Sequence, residues 1–177
     1  MAFEYLIGIN HLGLTVPDID EATEYFKSAF GAKIAYDGLT NADEPRAGQV
    51  VEQQLGLPKG GKIIRQRMLV IGNGPEIEMF EIEATPQREP IKLADYGWNH
   101  LSLYVTDIDK ALAQAVKAGG QALSGVHGNS RYEDTPGNGS VYVLTPWGSL
   151  VELQTIPHGH YYPANSETNV WVPKKDG

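Results

Sequence analysis

The chain has 177 residues, a net charge of −8 and a pI near 5.0, with the ordinary hydrophobic share of a globular protein. An acidic chain with no Lys/Arg-rich patch lacks the electrostatics that hold nucleic acid. With no cysteine, disulfides, thiolate ligands and a cysteine nucleophile are excluded, so any metal must be held by nitrogen and oxygen. No apolar run reaches bilayer length. The N-terminus Met-Ala-Phe-Glu-Tyr-Leu shows no basic region leading into a long apolar run, so a cytoplasmic location without a signal peptide is the default expectation.

The first element is a strand, because Leu12, Leu14 and Val16 alternate with His11, Gly13 and Thr15. Asp18 then caps a helix to about Phe30, with Glu21 at the capping-box position and Gly31 as the stop. Strands follow near 33–38, 63–71 and 75–84, interrupted by an insertion over 40–62 in which Gln49–Leu57 forms a short helix. A linker over 85–95 leads to a second series: a strand from His100, a helix capped by Asp107 to about Ala118, and strands near 121–124, 140–145 and 149–156. Residues 158–177 form a Tyr-, Pro- and Asn-rich tail, expected as extended chain on the surface or across a subunit contact.

The two series are copies. Residues 8–22, GINHLGLTVPDIDEA, and 97–111, GWNHLSLYVTDIDKA, are identical at ten of fifteen positions at an offset of 89. Shared strand propensity explains the alternation but not Asn-His, Asp-Ile-Asp and a following Ala at one spacing. A second pair, GPEIEMF at 74–80 and GSLVELQ at 148–154, places a glutamate four residues after a glycine. Each unit is thus a β-α-β-β-β module, at 5–84 and 96–157. The fold class expected is α+β, two tandem modules forming a curved mixed sheet.

Strand alternation puts the aliphatic residues on one face and His11, Glu78, His100 and Glu152 on the other. Two sheets side by side would enclose a cavity lined by these four. A lone strand histidine is more often a hydrogen-bonded core residue than a ligand, but an unpaired carboxylate on a buried face is costly. Four such residues at repeat-equivalent positions favour metal binding. Glu76, Glu81 and Glu83 read as solvated charges, and His127, His158 and His160 as loop residues. Arg67, Tyr104, Tyr142 and Gln154 either line the cavity or pack structurally.

The N-H-L-x-L-x-V-x-D-I-D segment of both halves and the Glu segments at the module ends resemble the glyoxalase I / bleomycin-resistance / extradiol-dioxygenase (vicinal oxygen chelate) superfamily over roughly residues 5–157. The ending TPWGSLVELQTIPHGHYY resembles its glyoxalase-like subgroup. The resemblance implies one divalent ion per chain, zinc, nickel, cobalt, manganese or iron, on His11, Glu78, His100 and Glu152. It also implies proton transfer by Glu152, because the carboxylate at that position is the base in glyoxalase I and in methylmalonyl-CoA epimerase. Glu78 is the second catalytic carboxylate of this reading.

Four protein ligands leave an octahedral ion two adjacent positions, enough for a small oxo- or hydroxy-substrate to chelate through neighbouring oxygens. The function expected is therefore enediolate chemistry: a glyoxalase-like isomerase, epimerase or lyase. A ferrous ring-cleaving dioxygenase is the alternative, ranked lower because Glu78 occupies a position that such chemistry needs free. A non-catalytic binding or resistance protein of the same fold is the second alternative. A homodimer is expected, and no nucleic acid or membrane partner.

Overall fold

The computed structural model describes residues 5–174. They form two compact units, and each has a four-stranded mixed sheet. The first sheet has the order β1-β4-β3-β2, built from β1 (His11–Thr15), β2 (Lys33–Leu39), β3 (Lys62–Val70) and β4 (Glu76–Glu83). The second has the order β5-β8-β7-β6, built from β5 (His100–Tyr104), β6 (Gln121–Ala122), β7 (Gly139–Leu144) and β8 (Leu150–Thr155). In each, the first strand runs parallel to the last and the remaining neighbours are antiparallel. The α+β class and the tandem module pattern are as the sequence predicts.

Helix α1 (Ile19–Phe30) starts where Asp18 Oδ1 accepts from the N–H groups of Asp20 and Glu21, at 2.8 and 2.9 Å. It ends at Gly31, whose φ of 68° is the left-handed geometry of a helix stop. A third first-turn donor, Ile19 N–H, goes to Glu81 Oε2 at 3.0 Å. Glu81 is therefore a cap supplied by β4, not the solvated charge expected. The other helix of the repeat, α3 (Ile108–Lys117), is capped by Asp107, which accepts from Lys110 N–H. In the insertion, α2 (Gln49–Leu55) stops two residues short of the expected end because Gly56 turns left-handed, with φ 67°.

In the first unit Val16, Ile19, Ile63, Leu69, Ile77 and Met79 are buried, each contributing roughly 1.5–3 kcal/mol by leaving water. β1 sits at the sheet edge with one neighbour, so Leu12 stays 36% exposed despite lying on the aliphatic face. Register shifts at Ile34/Tyr36, Asp37/Leu39 and Ile63/Arg65 bend this sheet. The second unit includes residues 24–30, the later half of α1, whose Tyr25 and Phe26 meet Trp147 edge-on. Its core is completed by Ala115, Val141, Val143, Val151, Leu153 and Ile156. Gly120 makes this packing possible: a Cβ there would lie 2.7 Å from Tyr25 Oη, 2.8 Å from Val143 and 2.9 Å from the Ala115 carbonyl.

The tail is tied to its own unit. Thr135 Oγ1 donates to the Gly159 carbonyl at 2.8 Å, and Tyr161 N–H donates to the Tyr132 carbonyl at 2.8 Å. Val170 N–H donates to Tyr162 Oη at 3.0 Å. Among the described residues, no helix is long and apolar enough to cross a membrane.

Candidate metal centre and acid–base site

The parallel pairing of first and last strand sets each His–Glu pair. In the first unit Gly13 stands opposite Glu78, and in the second Ser102 stands opposite Glu152. In both, the histidine precedes the glutamate's partner by two residues, which returns it to the same face. His11 Nε2 comes to 3.3 Å from Glu78 Oε2, and His100 Nε2 to 3.7 Å from Glu152 Oε2. The duplication thus extends from sequence to strand register and side-chain pairing.

Each imidazole is held from behind by the residue before it. His11 Nδ1 lies 2.8 Å from Asn10 Oδ1, and His100 Nδ1 lies 2.7 Å from Asn99 Oδ1. The amide orientations are fixed by second bonds. Asn10 Nδ2 donates to Glu76 at 3.5 Å, and Asn99 Nδ2 donates to the Leu93 carbonyl at 3.4 Å. An amide oxygen only accepts, so both Nδ1 atoms carry the proton. Nε2 is left facing a carboxylate, an arrangement that needs a proton or a cation between the two.

The carboxylates are supported differently. Glu78 Oε1 accepts a short hydrogen bond from Gln66 Nε2. Gln66 is itself held by Arg46 of the insertion, whose Nη1 donates to Gln66 Oε1 at 2.9 Å and whose Nη2 donates to the Gly38 carbonyl at 2.9 Å. Glu152 stands opposite Tyr142 on β7, with the phenol beside its carboxylate. Burial first, and then the Glu152 charge, push the Tyr142 phenol above its ordinary pKa, so it keeps its proton and donates. The Tyr142 ring also meets His100 edge-on, with centroids 5.5 Å apart.

Among the described residues, no group of three or more His, Asp or Glu gathers around one point, and the four candidate ligands occur as two pairs. Within each pair the donor set suits a divalent ion: an Nε2 with its tautomer fixed, and a carboxylate oxygen on the same side. Of the residues whose role the sequence left open, Tyr142 supports Glu152. Gln154 reaches Glu133 at 3.5 Å, and Tyr104 Oη accepts from Ile156 N–H at 3.1 Å. Arg67 lies on the opposite, helix-facing side. It pairs with Asp37 at 2.6 Å and Asp20 at 3.0 Å, and donates to Thr23 at 2.9 Å. Asn10, Asn99, Gln66 and Arg46 were not singled out from sequence. For the asparagines the signal was there, since Asn precedes His in both copies. Gln66 and Arg46 belong to one module only and left no repeat signal.

A family model described as the Glyoxalase/Bleomycin resistance protein/Dioxygenase superfamily matches residues 10–134. A 2-epi-5-epi-valiolone epimerase from Actinomyces sp is 30% identical over 169 residues, covering 95% of this chain and 90% of that protein. The crystal structure of a glyoxalase family protein from Bacillus cereus superposes with a TM-score of 0.67 at 18% identity, covering 88% of this chain and 97% of that one. A fosfomycin resistance protein from Listeria monocytogenes does so with a TM-score of 0.54 at 16% identity, covering 85% and 93%. At these identities the two structures show a shared fold.

Proposed function

This chain belongs to the glyoxalase/bleomycin resistance protein/dioxygenase superfamily, and from that premise we propose that it is a divalent-metal-dependent epimerase or isomerase of a small hydroxy-ketone. The observation that carries the reading is the duplicated Asn–His–Glu arrangement, in which each Nε2 faces a carboxylate with its tautomer already set. His11, Glu78, His100 and Glu152 are the ligands of this proposal. The epimerase relative supports an acid–base reaction over an oxidative one, since epimerisation inverts a centre with no net redox change.

A divalent ion in such a site supplies Lewis acidity that makes the C–H beside a bound carbonyl easier to ionise. The remaining work falls to side chains. Asn10 and Asn99 keep the imidazoles from rotating. Gln66 fixes Glu78 through its own tether to Arg46. Glu152 takes the proton from carbon as general base, with Tyr142 beside its carboxylate, and a proton delivered to the opposite face completes the inversion. This is the enediolate-type chemistry expected from sequence, narrowed to epimerisation or isomerisation. The homodimer and the cytoplasmic location belong to the same proposal, and sedimentation equilibrium tests the former.

The test is elemental analysis followed by solvent exchange. Purified protein should carry or take up one divalent ion per chain. With zinc or manganese restored, it should move deuterium from solvent into the carbon next to the carbonyl of 2-epi-5-epi-valiolone without consuming oxygen. Oxygen uptake in step with turnover by the iron-loaded protein alone would transfer the assignment to a dioxygenase. Ligand binding without exchange under any metal would leave a binding protein.

A further inference from the structure

The second unit holds an open cavity of about 480 Å³ between the 3-10 turn Arg131–Glu133 and the tail, lined among others by Tyr132, Glu133, His160 and Tyr162. The tail is a fixed wall of this cavity, because Tyr161 N–H bonds the Tyr132 carbonyl and Thr135 Oγ1 bonds the Gly159 carbonyl. His160, which sequence reading placed among loop residues, has a side chain only 7% exposed. Its Nε2 lies 4.0 Å from Glu133 Oε1, too far for a hydrogen bond and well spaced for one hydroxyl to bond both. Arg131 holds a φ of 51°, a left-handed geometry rare outside glycine, and such strain concentrates where a turn must present groups to a ligand.

We infer that this cavity binds the hydroxyl-bearing ring of a neutral polyhydroxylated substrate, with Glu133 and His160 sharing one of its hydroxyls. Three features select that chemistry. The lining carries one guanidinium and one carboxylate, a balance suited to an uncharged polar molecule. Tyr132 and Tyr162 among the lining supply apolar ring surface for the C–H face of a ring, and the Tyr162 phenol, which accepts from Val170 N–H, keeps its own proton to donate. Glu133 also connects to the reaction centre. Its Oε2 takes a 3.5 Å contact from Gln154 Nε2, and Gln154 lies two residues along β8 from Glu152 on the same face. A two-residue step is about 6.7 Å, the reach of a single six-membered ring. A ring held at Glu133 can therefore extend towards Glu152. Glu133 and His160 are positioning and specificity residues in this account, which rests on the epimerase reading for the identity of the reacting end.

The experiment separates binding from chemistry. Saturation-transfer NMR and calorimetry on the full chain, with 2-epi-5-epi-valiolone and with myo-inositol as probes, should show saturation of the ring protons. Glu133→Gln and His160→Ala should each weaken binding about tenfold, with unchanged near-UV circular dichroism. In the metal-restored enzyme the same variants should raise KM for the polyhydroxylated ketone about tenfold and leave kcat within about twofold. Exchange of deuterium into dihydroxyacetone, too short to span both places, should be unaffected. Wild-type protein that binds neither probe, or variants that bind as tightly as wild type, overturns the inference even if exchange is observed. Binding lost in the variants while wild type shows no exchange with any metal keeps the cavity and defeats the epimerase reading.

Discussion

The two His–Glu pairs share their Asn-His, their glutamate and their strand register, yet the glutamates stand in different surroundings. Glu78 is fixed by an amide that a guanidinium fixes in turn, a chain recruited from the insertion that only the first module has. Glu152 has no such chain: among these contacts a phenol stands beside it, a donor that rotates about one C–O bond. A carboxylate that accepts a proton from carbon can work beside one rotatable donor, while one that holds an ion is served by a fixed frame. On the proposed reading, the difference suits Glu152 to the base and Glu78 to the anchor.

The largest expected effect breaks this asymmetry directly. At saturating divalent ion, Glu152→Gln should lower solvent deuterium exchange by about a thousandfold, the scale of removing a general base. Glu78→Gln should chiefly weaken ion binding and slow exchange far less. Equal losses of exchange in both variants at saturation would erase the assigned roles.

Next come two glycines. Gly120→Ala drives a methyl into Tyr25 Oη, Val143 and the Ala115 carbonyl, and should destabilise the chain by about 3 kcal/mol in urea denaturation. Gly38→Ala meets the end of the Gln66 side chain at 2.7 Å, which can swing away. It should cost less than about 1 kcal/mol while releasing Glu78 from its amide. Its signature is weaker ion binding in a chain that melts almost normally; unchanged ion affinity would discount the Gln66 tether.

Asn10→Ala and Asn99→Ala test what the modules share. Each should reduce divalent-ion affinity by about ten- to a hundredfold in competition with a chelator, through loss of the fixed tautomer. An effect confined to one variant would mean that only one copy still serves as a metal half-site.

The smallest effect is particular to the first module. Arg65, then Arg67, hold the Asp20 carboxyl down at about 2, against the pull of partial burial. The folded value lies below the unfolded one of about 3.9, so the stabilisation is fully present above about pH 4. It disappears as pH falls towards 2. Asp20 is 61% exposed, so screening limits it to about half a kcal/mol. Thermal melts of wild type and Asp20→Asn should differ slightly at pH 7 and converge by pH 2. A gap that widened as pH fell would contradict the sign.

Much was legible in the chain. Two-residue alternation fixed which face carries each histidine and glutamate, and Asp18, Asp107 and Gly31 marked helix ends that the backbone obeys. Local rules sufficed there because each depends on neighbours a few residues away. Arg67 defied such reading: on a strand it could face either side, and Asp37, Asp20 and Thr23 decide which. Glu81 looked solvated because its partner, the N–H of Ile19, lies 62 residues earlier.

By itself, the sequence determined the duplication, the module pattern and the four candidate ligands, since periodicity and repetition are properties of order along a chain. Only the tertiary structure decided which groups support those ligands. Arg46 reaches Glu78 through Gln66, and the tail brings His160 to Glu133 across 27 positions. Hydrogen bonds between residues so far apart depend on where strands and tail come to rest, and no local pattern records that.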